Sequence, residues 1–324
     1  MISESFPGVI CPACAAQPSR FAALFPVTSV GRACWALKCG FCGLVFKSVL
    51  PEDKVLDGIY SDGYAHFQGG ADSATEADTL SITDKLLACR SANEALRRKS
   101  RYRVLDVGCG RGAVVRILRE LGHDALGVDP YLPAALIQPY LFRSTADLAG
   151  QEGFDIVLML NVAEHLPRPE RLFGSIRPLI ARGGALLLTC PFGDSLARRV
   201  FCAKWNQMAL DEHLLFWTQS SLEALFRRLH FEGRLTCRIL GTPFPLGQVA
   251  SLPDGTAGEA RGQALLSRAV KEPVPTNRKA PGLIWKIARR IQSNARLASL
   301  ARSALAASRL GDYMQAVFSQ GGTK

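Results

Sequence analysis

The chain has 324 residues, a length that allows about two domains. Of these residues 48% are hydrophobic and 21% charged, a balance that is ordinary for a globular protein. This composition excludes an intrinsically disordered chain, a collagen-like fibre and a small disulfide scaffold. The formal net charge of +11 fits a nucleic-acid or membrane-surface partner without choosing between them. No stretch reaches the roughly 18 apolar residues of a membrane-spanning helix, and the first residues do not resemble a secretory signal.

Two cysteine pairs dominate the N-terminal region. The pairs are Cys11 with Cys14 and Cys39 with Cys42. Two C-x-x-C motifs that flank a β-prone segment of hairpin length predict a tetrahedral, structural zinc site. We therefore expect a zinc ribbon over residues 1–48, with Cys34 as an apolar filler. A redox dithiol or a chance pairing is the alternative, and a closed metal site would not identify the chemistry of the protein.

A helical connector is expected over residues 49–100, and the segment after it predicts a strand, a tight turn and a helix. The apolar run 104–107 ends at the three glycines Gly108, Gly110 and Gly112, and an amphipathic pattern follows. A second apolar run ends at Asp129, at the distance expected for a partner of ribose hydroxyls. This pattern predicts a nucleotide-like ligand at the carboxyl ends of parallel strands.

The segment from Asp106 to Gly112, read D-V-G-C-G-R-G, resembles the first motif of the class I S-adenosylmethionine-dependent methyltransferases. Later matches follow in order, and together they cover about residues 101–240 and the end of the chain. They are Val-Asp129-Pro, Ala-Asp147-Leu, the run 154–160 and the run 183–189. The resemblance implies an α/β, Rossmann-like sheet of seven strands in the order 3-2-1-4-5-7-6.

The same resemblance implies roles for individual residues. Asp106 would face the methionine amino group, Asp129 the ribose and Asp147 the adenine amino group, and Asn161 after strand 4 would also contact the cofactor. For Asp147, a solvated loop carboxylate is the alternative. The ribbon followed by Tyr60 and Tyr64 resembles one bacterial subgroup, whose members are often associated with glycan or secondary-metabolite biosynthesis.

Four side chains remain as candidates for the chemistry and for a lid. A base that works near neutral pH is most simply a histidine, and His165 after strand 4 and His213 before strand 6 lie in segments similar to those of the family. Both could instead have structural roles, for example if Glu164 and His165 cap a helix. Tyr60 and Tyr64 could fold over the cofactor as a lid or pack on a helix.

The C-terminal third combines two expected strands with a basic insertion. We expect strand 6 over 231–240 and the final strand over 313–318, so that the core spans 101–250, the insertion 251–310, and the final strand and tail 311–324. Residues 250–310 carry eight of the eleven net positive charges. Within them, 283–300 predict a basic amphipathic helix, which would lie on an anionic membrane or pack on the core.

Three functions compete at this point. The leading interpretation is a cytoplasmic methyltransferase for a small-molecule or lipid-linked acceptor, with a sugar hydroxyl as the favoured acceptor group. A variant of this interpretation places the protein at the periphery of the inner membrane surface. The second is an RNA methyltransferase, although the ribbon is not strongly basic and no interleaved aromatic and basic platform is present. The third is a binding module that kept the fold without the activity.

Overall fold

The computed structural model describes residues 6–60, 76–240 and 311–321. The chain folds as two compact units, and their described residues are 6–51, 191–222, 238–240 and 311–314 in the first and 52–60, 76–190, 223–237 and 315–321 in the second. The insertion expected at 251–310, with its helix at 283–300, and Tyr64 lie outside the described residues.

Eleven strands and eight α-helices are present in the described residues. The strands are β1 (Phe21–Ser29), β2 (Arg32–Cys39), β3 (Val45–Lys47), β4 (Arg103–Val107), β5 (Asp124–Val128), β6 (Leu141–Phe142), β7 (Phe154–Leu160), β8 (Ile180–Pro191), β9 (Leu215–Phe216), β10 (Gly233–Leu240) and β11 (Tyr313–Gln320). The α-helices are α1 (Asp53–Tyr60), α2 (Glu76–Ala92), α3 (Glu94–Arg97), α4 (Ala113–Glu120), α5 (Pro169–Ile176), α6 (Leu196–Phe201), α7 (Asn206–Ala209) and α8 (Gln219–Arg228). Within the described ranges, no helix is both long and apolar enough to cross a bilayer.

The larger sheet has the expected methyltransferase order. Its seven strands run β10-β11-β8-β7-β4-β5-β6, which is 6-7-5-4-1-2-3 when the strands of this sheet are numbered along the chain. The pairs β4–β5, β4–β7, β5–β6 and β7–β8 are parallel. Because β5 and β7 flank β4 on opposite sides, the connections diverge at β4, and the crevice beyond its carboxyl end is the expected ligand position.

Buried apolar runs explain why the centre of this sheet forms. The first six residues of β7 are buried, as are the last four of β4, a pattern typical of parallel strands covered on both faces. Helix α4 contributes Val115, Ile117 and Leu118 to the same core. At about 25 cal/mol per Å² of buried apolar surface, this core is the main favourable term for the domain.

The smaller sheet contains the cysteine-rich segment and one strand from much later in the chain. Its antiparallel order is β1-β2-β3-β9. Trp205 and Phe216 pack in its core with Cys34, so Cys34 is an apolar filler as expected. The ribbon therefore acquires its fourth strand and part of its core from residues 191–222, which the sequence pattern did not predict.

Candidate active site

The three glycines form the turn between β4 and α4 with backbone conformations that favour glycine. Gly108 has φ of 76° and Gly112 has φ of 77°. A Cβ on Gly108 would lie 2.3 Å from Val162 Cγ2, whereas a Cβ on Gly110 would meet no atom within 4 Å. The loop thus packs closely against the segment after β7 while Gly110 borders open space. A ligand can approach the backbone there, which is what a cofactor cradle needs.

Asp129 holds this loop in place. Its carboxylate accepts hydrogen bonds from the backbone N–H of Gly110 and of Tyr131, each at 2.9 Å. The side chain is buried, and burial raises its pKa although both hydrogen bonds favour the charged form. Asp129 therefore joins the end of β5 to the glycine loop, in addition to the ribose contact expected from the sequence.

Asp106 lies beneath the loop as a buried carboxyl group. It is 2% exposed, and burial, followed by the nearby charge of Asp129, raises its pKa to about 7. Burial therefore disfavours the charged form of this carboxyl group. A buried carboxylate without a cation is costly, so a ligand with an ammonium group suits this position.

Asn161 and Asp147 have well-defined structural contacts. Asn161 has φ of 55° at the end of β7, and its amide oxygen accepts a hydrogen bond of 3.3 Å from the Thr189 hydroxyl. Asp147 is exposed, and its Oδ2 accepts a hydrogen bond of 3.0 Å from the Ser144 backbone N–H in a capping box. Neither contact tests a role toward the cofactor.

Tyr60 spans the loops on both sides of the glycine turn. Its hydroxyl lies 2.8 Å from His165 Nδ1, and its ring lies 5.1 Å from that of Tyr131. His165 follows β7 and Tyr131 follows β5, the two strands that flank β4. Helix α1 is held there further by Asp57, whose carboxylate accepts a hydrogen bond of 3.1 Å from the Tyr131 hydroxyl. The lid role expected of Tyr60 stays a prediction.

Glu164 is a feature that sequence reasoning missed. The side chain is 0% exposed, and neither carboxyl oxygen has a hydrogen-bond partner among the described residues. Burial raises the pKa of Glu164 to about 8, and burial followed by the charge of Glu164 raises that of the Cys190 thiol. The carboxyl group does not cap a helix in the described structure. A glutamate shortly after the apolar run 154–160 was the available signal.

His213 belongs to the first compact unit, whereas His165 and the glycine loop belong to the second. It lies just before β9, and its backbone N–H donates to the Leu210 carbonyl at 3.2 Å. The side chain is 6% exposed. The imidazole is therefore a buried group on a short turn that is held by the ribbon sheet.

The four cysteines of the two C-x-x-C motifs converge as expected. They are Cys11, Cys14, Cys39 and Cys42, and their sulfur atoms all lie within 4.8 Å of one another. The Sγ–Sγ distances are 3.6 Å for Cys11–Cys42 and 3.7 Å for Cys14–Cys39. These are too long for a disulfide, and Zn–S bonds of about 2.3 Å in a tetrahedron require sulfur atoms about 3.8 Å apart. The geometry thus fits one tetrahedral metal ion.

Comparison with known proteins finds a similar family for part of the chain. Residues 81–235 match the family model of a methyltransferase domain, which is slightly less than half of the chain. The match begins within α2 and ends within β10, so it covers the glycine loop, Asp129 and the segment of Glu164 and His165. The matched segment therefore contains the cofactor residues predicted from the sequence.

Relatives of known name match this domain in part. The ubiquinone biosynthesis O-methyltransferase of Cereibacter sphaeroides is 28% identical over 131 residues, which are 36% of this chain and 53% of that protein. The protein of the same name from Rhodopseudomonas palustris is 26% identical over 177 residues, 48% of this chain and 69% of that protein. The chain thus spans about half to two thirds of these relatives. A solved SAM-dependent methyltransferase from Archaeoglobus fulgidus is 16% identical, with a TM-score of 0.42, and the alignment covers 78% of this chain and 96% of that one.

Proposed function

We propose that the protein is an S-adenosylmethionine-dependent methyltransferase that methylates a hydroxyl group of a small-molecule acceptor. The observation that carries the proposal is the glycine loop at the switch point of the sheet. There Gly110 borders open space, its N–H is held by Asp129, and the buried Asp106 lies beneath. This arrangement fits a cofactor that has an ammonium group, a ribose and an adenine.

The bound cofactor would supply an activated methyl group for an in-line displacement. The protein has to bind both reactants, align them and accept a proton from the acceptor. Asp129 and Asp106 would hold the ribose and the methionine amino group. The backbone of the glycine loop, at Gly108, Gly110 and Gly112, would lie along the methionine part of the cofactor. Asp147 and Asn161 would complete the cofactor contacts.

His165 is one of two candidates for the proton acceptor. In the tautomer in which Nδ1–H donates to the Tyr60 hydroxyl, Nε2 carries the lone pair that can accept a proton. Tyr60 would hold the imidazole in position and, as part of a lid, exclude water from the cofactor. His213, on its buried turn, is the second candidate.

A sugar hydroxyl is the acceptor that we favour, in keeping with the glycan-associated subgroup that the ribbon and tyrosines resemble. The O-methyltransferase names of the matched relatives support oxygen as the methylated atom. We include in the proposal a lipid-linked form of the acceptor, a cytoplasmic location and a peripheral contact of residues 283–300 with anionic membranes. The basic charge of that segment supports the membrane contact.

Zinc is the metal that we propose for the four-cysteine site. A closed set of four thiolates leaves no position for substrate, so the ion would stabilise the ribbon and take no part in the reaction.

Transfer of tritiated methyl groups tests the proposed function. The full chain is incubated with labelled cofactor and, separately, with a glycan extract, a lipid extract and RNA. Label in a glycan or lipid product supports the proposal, and mass-spectrometric identification of a methyl ether in the purified product identifies oxygen as the methylated atom. Label in RNA would show that the acceptor is a nucleic acid and not a small molecule. Absence of label in all three samples, with intact cofactor binding, would indicate a non-catalytic binding module. The Gly108→Ala variant, which should not bind cofactor, is the control for background labelling.

A further inference from the structure

The ribbon sheet contacts residues 210–220 at several successive points, all within the first compact unit. Strand β9 pairs with β3 in antiparallel register, and the Lys47 N–H donates to the Leu214 carbonyl at 3.0 Å. At the far end, the Ser220 hydroxyl donates to the Cys42 carbonyl at 2.9 Å. The segment that contains His213 is therefore bound along its length to the ribbon.

Lys47 is the most unusual residue of this contact. It is 0% exposed, and its Nζ donates to the Leu210 carbonyl at 2.8 Å and lies 3.5 Å from the Asp211 carbonyl. Burial lowers the pKa of Lys47, and the charge of Asp211 opposes this shift. A buried ammonium group is costly unless it is well hydrogen-bonded. Its contacts are made with the two residues that begin the turn of His213.

Asp211 holds the same turn from the other side. Its Oδ1 accepts a hydrogen bond of 3.0 Å from the Thr28 hydroxyl, and its Oδ2 accepts one of 3.2 Å from the Gly31 N–H. Thr28 and Gly31 lie at the turn between β1 and β2. Hydrogen bonds to charged groups are stronger than neutral ones. The turn 210–213 is thus fixed by Lys47 and by Asp211, each bonded to a different part of the ribbon.

The metal site lies at one end of the same contact. Cys42 supplies a thiolate to the four-cysteine cluster through its side chain and accepts the hydrogen bond from Ser220 through its carbonyl. Cys39 N–H and Gly43 N–H close the turn by bonding to the carbonyls of Leu44 and Cys39, at 2.9 Å each. Loss of the ion would release this turn and, through it, the segment 210–220.

We propose that the metal-bound ribbon is the positioning element of the His213 turn, with Lys47, Thr28 and Asp211 as positioning residues. The inference rests on the proposed function in one respect, that His213 or its neighbours act on the acceptor. Methyl transfer then depends on an ion that takes no part in the chemistry. Cofactor binding, which depends on the glycine loop, does not.

Hydrogen–deuterium exchange of the full chain tests the positioning directly. The Lys47→Met variant removes the ammonium group and keeps an apolar side chain of similar length, and Lys204→Met, at an exposed position of the same compact unit, is the matched control. With zinc still bound, we expect peptides covering 208–216 to exchange about tenfold faster in Lys47→Met. Thr28→Val should accelerate the same peptides less, and Thr28→Ser, which keeps the hydroxyl, should match the unmodified protein.

Kinetics separates positioning from a general loss of structure. Lys47→Met should lower kcat for the labelled acceptor about tenfold with the cofactor KM and Kd unchanged, and removal of zinc by chelation should do the same. Unchanged exchange of 208–216 in zinc-loaded Lys47→Met, or unchanged kcat after zinc removal, would overturn the inference.

If the unmodified protein labels no acceptor, the proposed function fails, and the exchange data alone decide the positioning. If Lys47→Met does not fold, the Thr28→Val and Thr28→Ser pair provides the same comparison.

Discussion

Replacing Glu164 with glutamine should stabilise the protein increasingly as the pH rises. The carboxyl group is fully buried and has no hydrogen-bond partner among the described residues, and its pKa is raised from 4.5 to about 8. Between these values the folded state keeps the proton while the unfolded state loses it. The stability of the unmodified protein therefore falls as the pH rises.

The magnitude follows from the linkage. One proton of difference changes the free energy of unfolding by about 1.4 kcal/mol for each pH unit. From pH 6 to pH 8 the advantage of Glu164→Gln should thus grow by about 2 kcal/mol, because the slope falls by half as the pH reaches the folded-state pKa, and it should then level off. Asp106, whose pKa is raised to about 7, contributes the same slope to both proteins and cancels from the difference.

Urea unfolding at pH 6, 7, 8 and 9, followed by far-ultraviolet circular dichroism, measures this difference. The matched control is Glu120→Gln on the exposed end of α4, where the side chain meets water in both states and the difference should stay flat. A Glu164→Gln advantage that varied by less than about 0.5 kcal/mol across the range would refute the reasoning. It would mean that the carboxyl group is ionised or hydrogen-bonded in the folded protein.

Three further predictions concern the cofactor loop, the lid and the metal. Gly108→Ala forces a Cβ against Val162 at a positive φ, so the cofactor Kd measured by calorimetry should rise at least about tenfold. An unchanged Kd would contradict the close packing of the loop against Val162. Tyr60→Phe removes the hydroxyl beside His165 Nδ1 and should lower kcat about tenfold with cofactor Kd unchanged, and equal kcat values would argue against this role. Cys14→Ser should reduce zinc content, measured by elemental analysis, from one ion per chain to near none, whereas Cys34→Ser should retain it.

Local patterns were sufficient for much of the fold. The alternation of apolar runs and turn residues predicted β4 and β5, and the glycines predicted the loop between β4 and α4, whereas β7 was predicted from the resemblance to a family. Each of these features depends on residues that are close in sequence, because strand burial and positive φ leave a local signature. The order of the seven strands came from the resemblance to a family, and the observed order confirms it.

The candidate site was predictable only in part. Asp106 and Asp129 are recognisable because Asp106 lies within the apolar run before the glycines and Asp129 follows the next apolar run, each at a fixed distance from the glycines. The contact of Tyr60 with His165 joins residues 105 positions apart, and no local pattern announces it. Glu164 stood next to a predicted residue, but a sequence does not show whether a carboxyl group is hydrated or buried.

The cysteine content and the positive charge of the chain have a different meaning once the fold is known. The sequence alone predicts that four of ten cysteines form a candidate metal site, that most of the net positive charge lies in 250–310, and that a glycine loop follows a buried strand. Only the tertiary structure decided that β9 completes the ribbon sheet, that Lys47 and Asp211 hold the His213 turn, and that Glu164 is buried. The physical reason is that motif spacing encodes local backbone geometry, whereas desolvation and long-range hydrogen bonds arise when distant segments pack together.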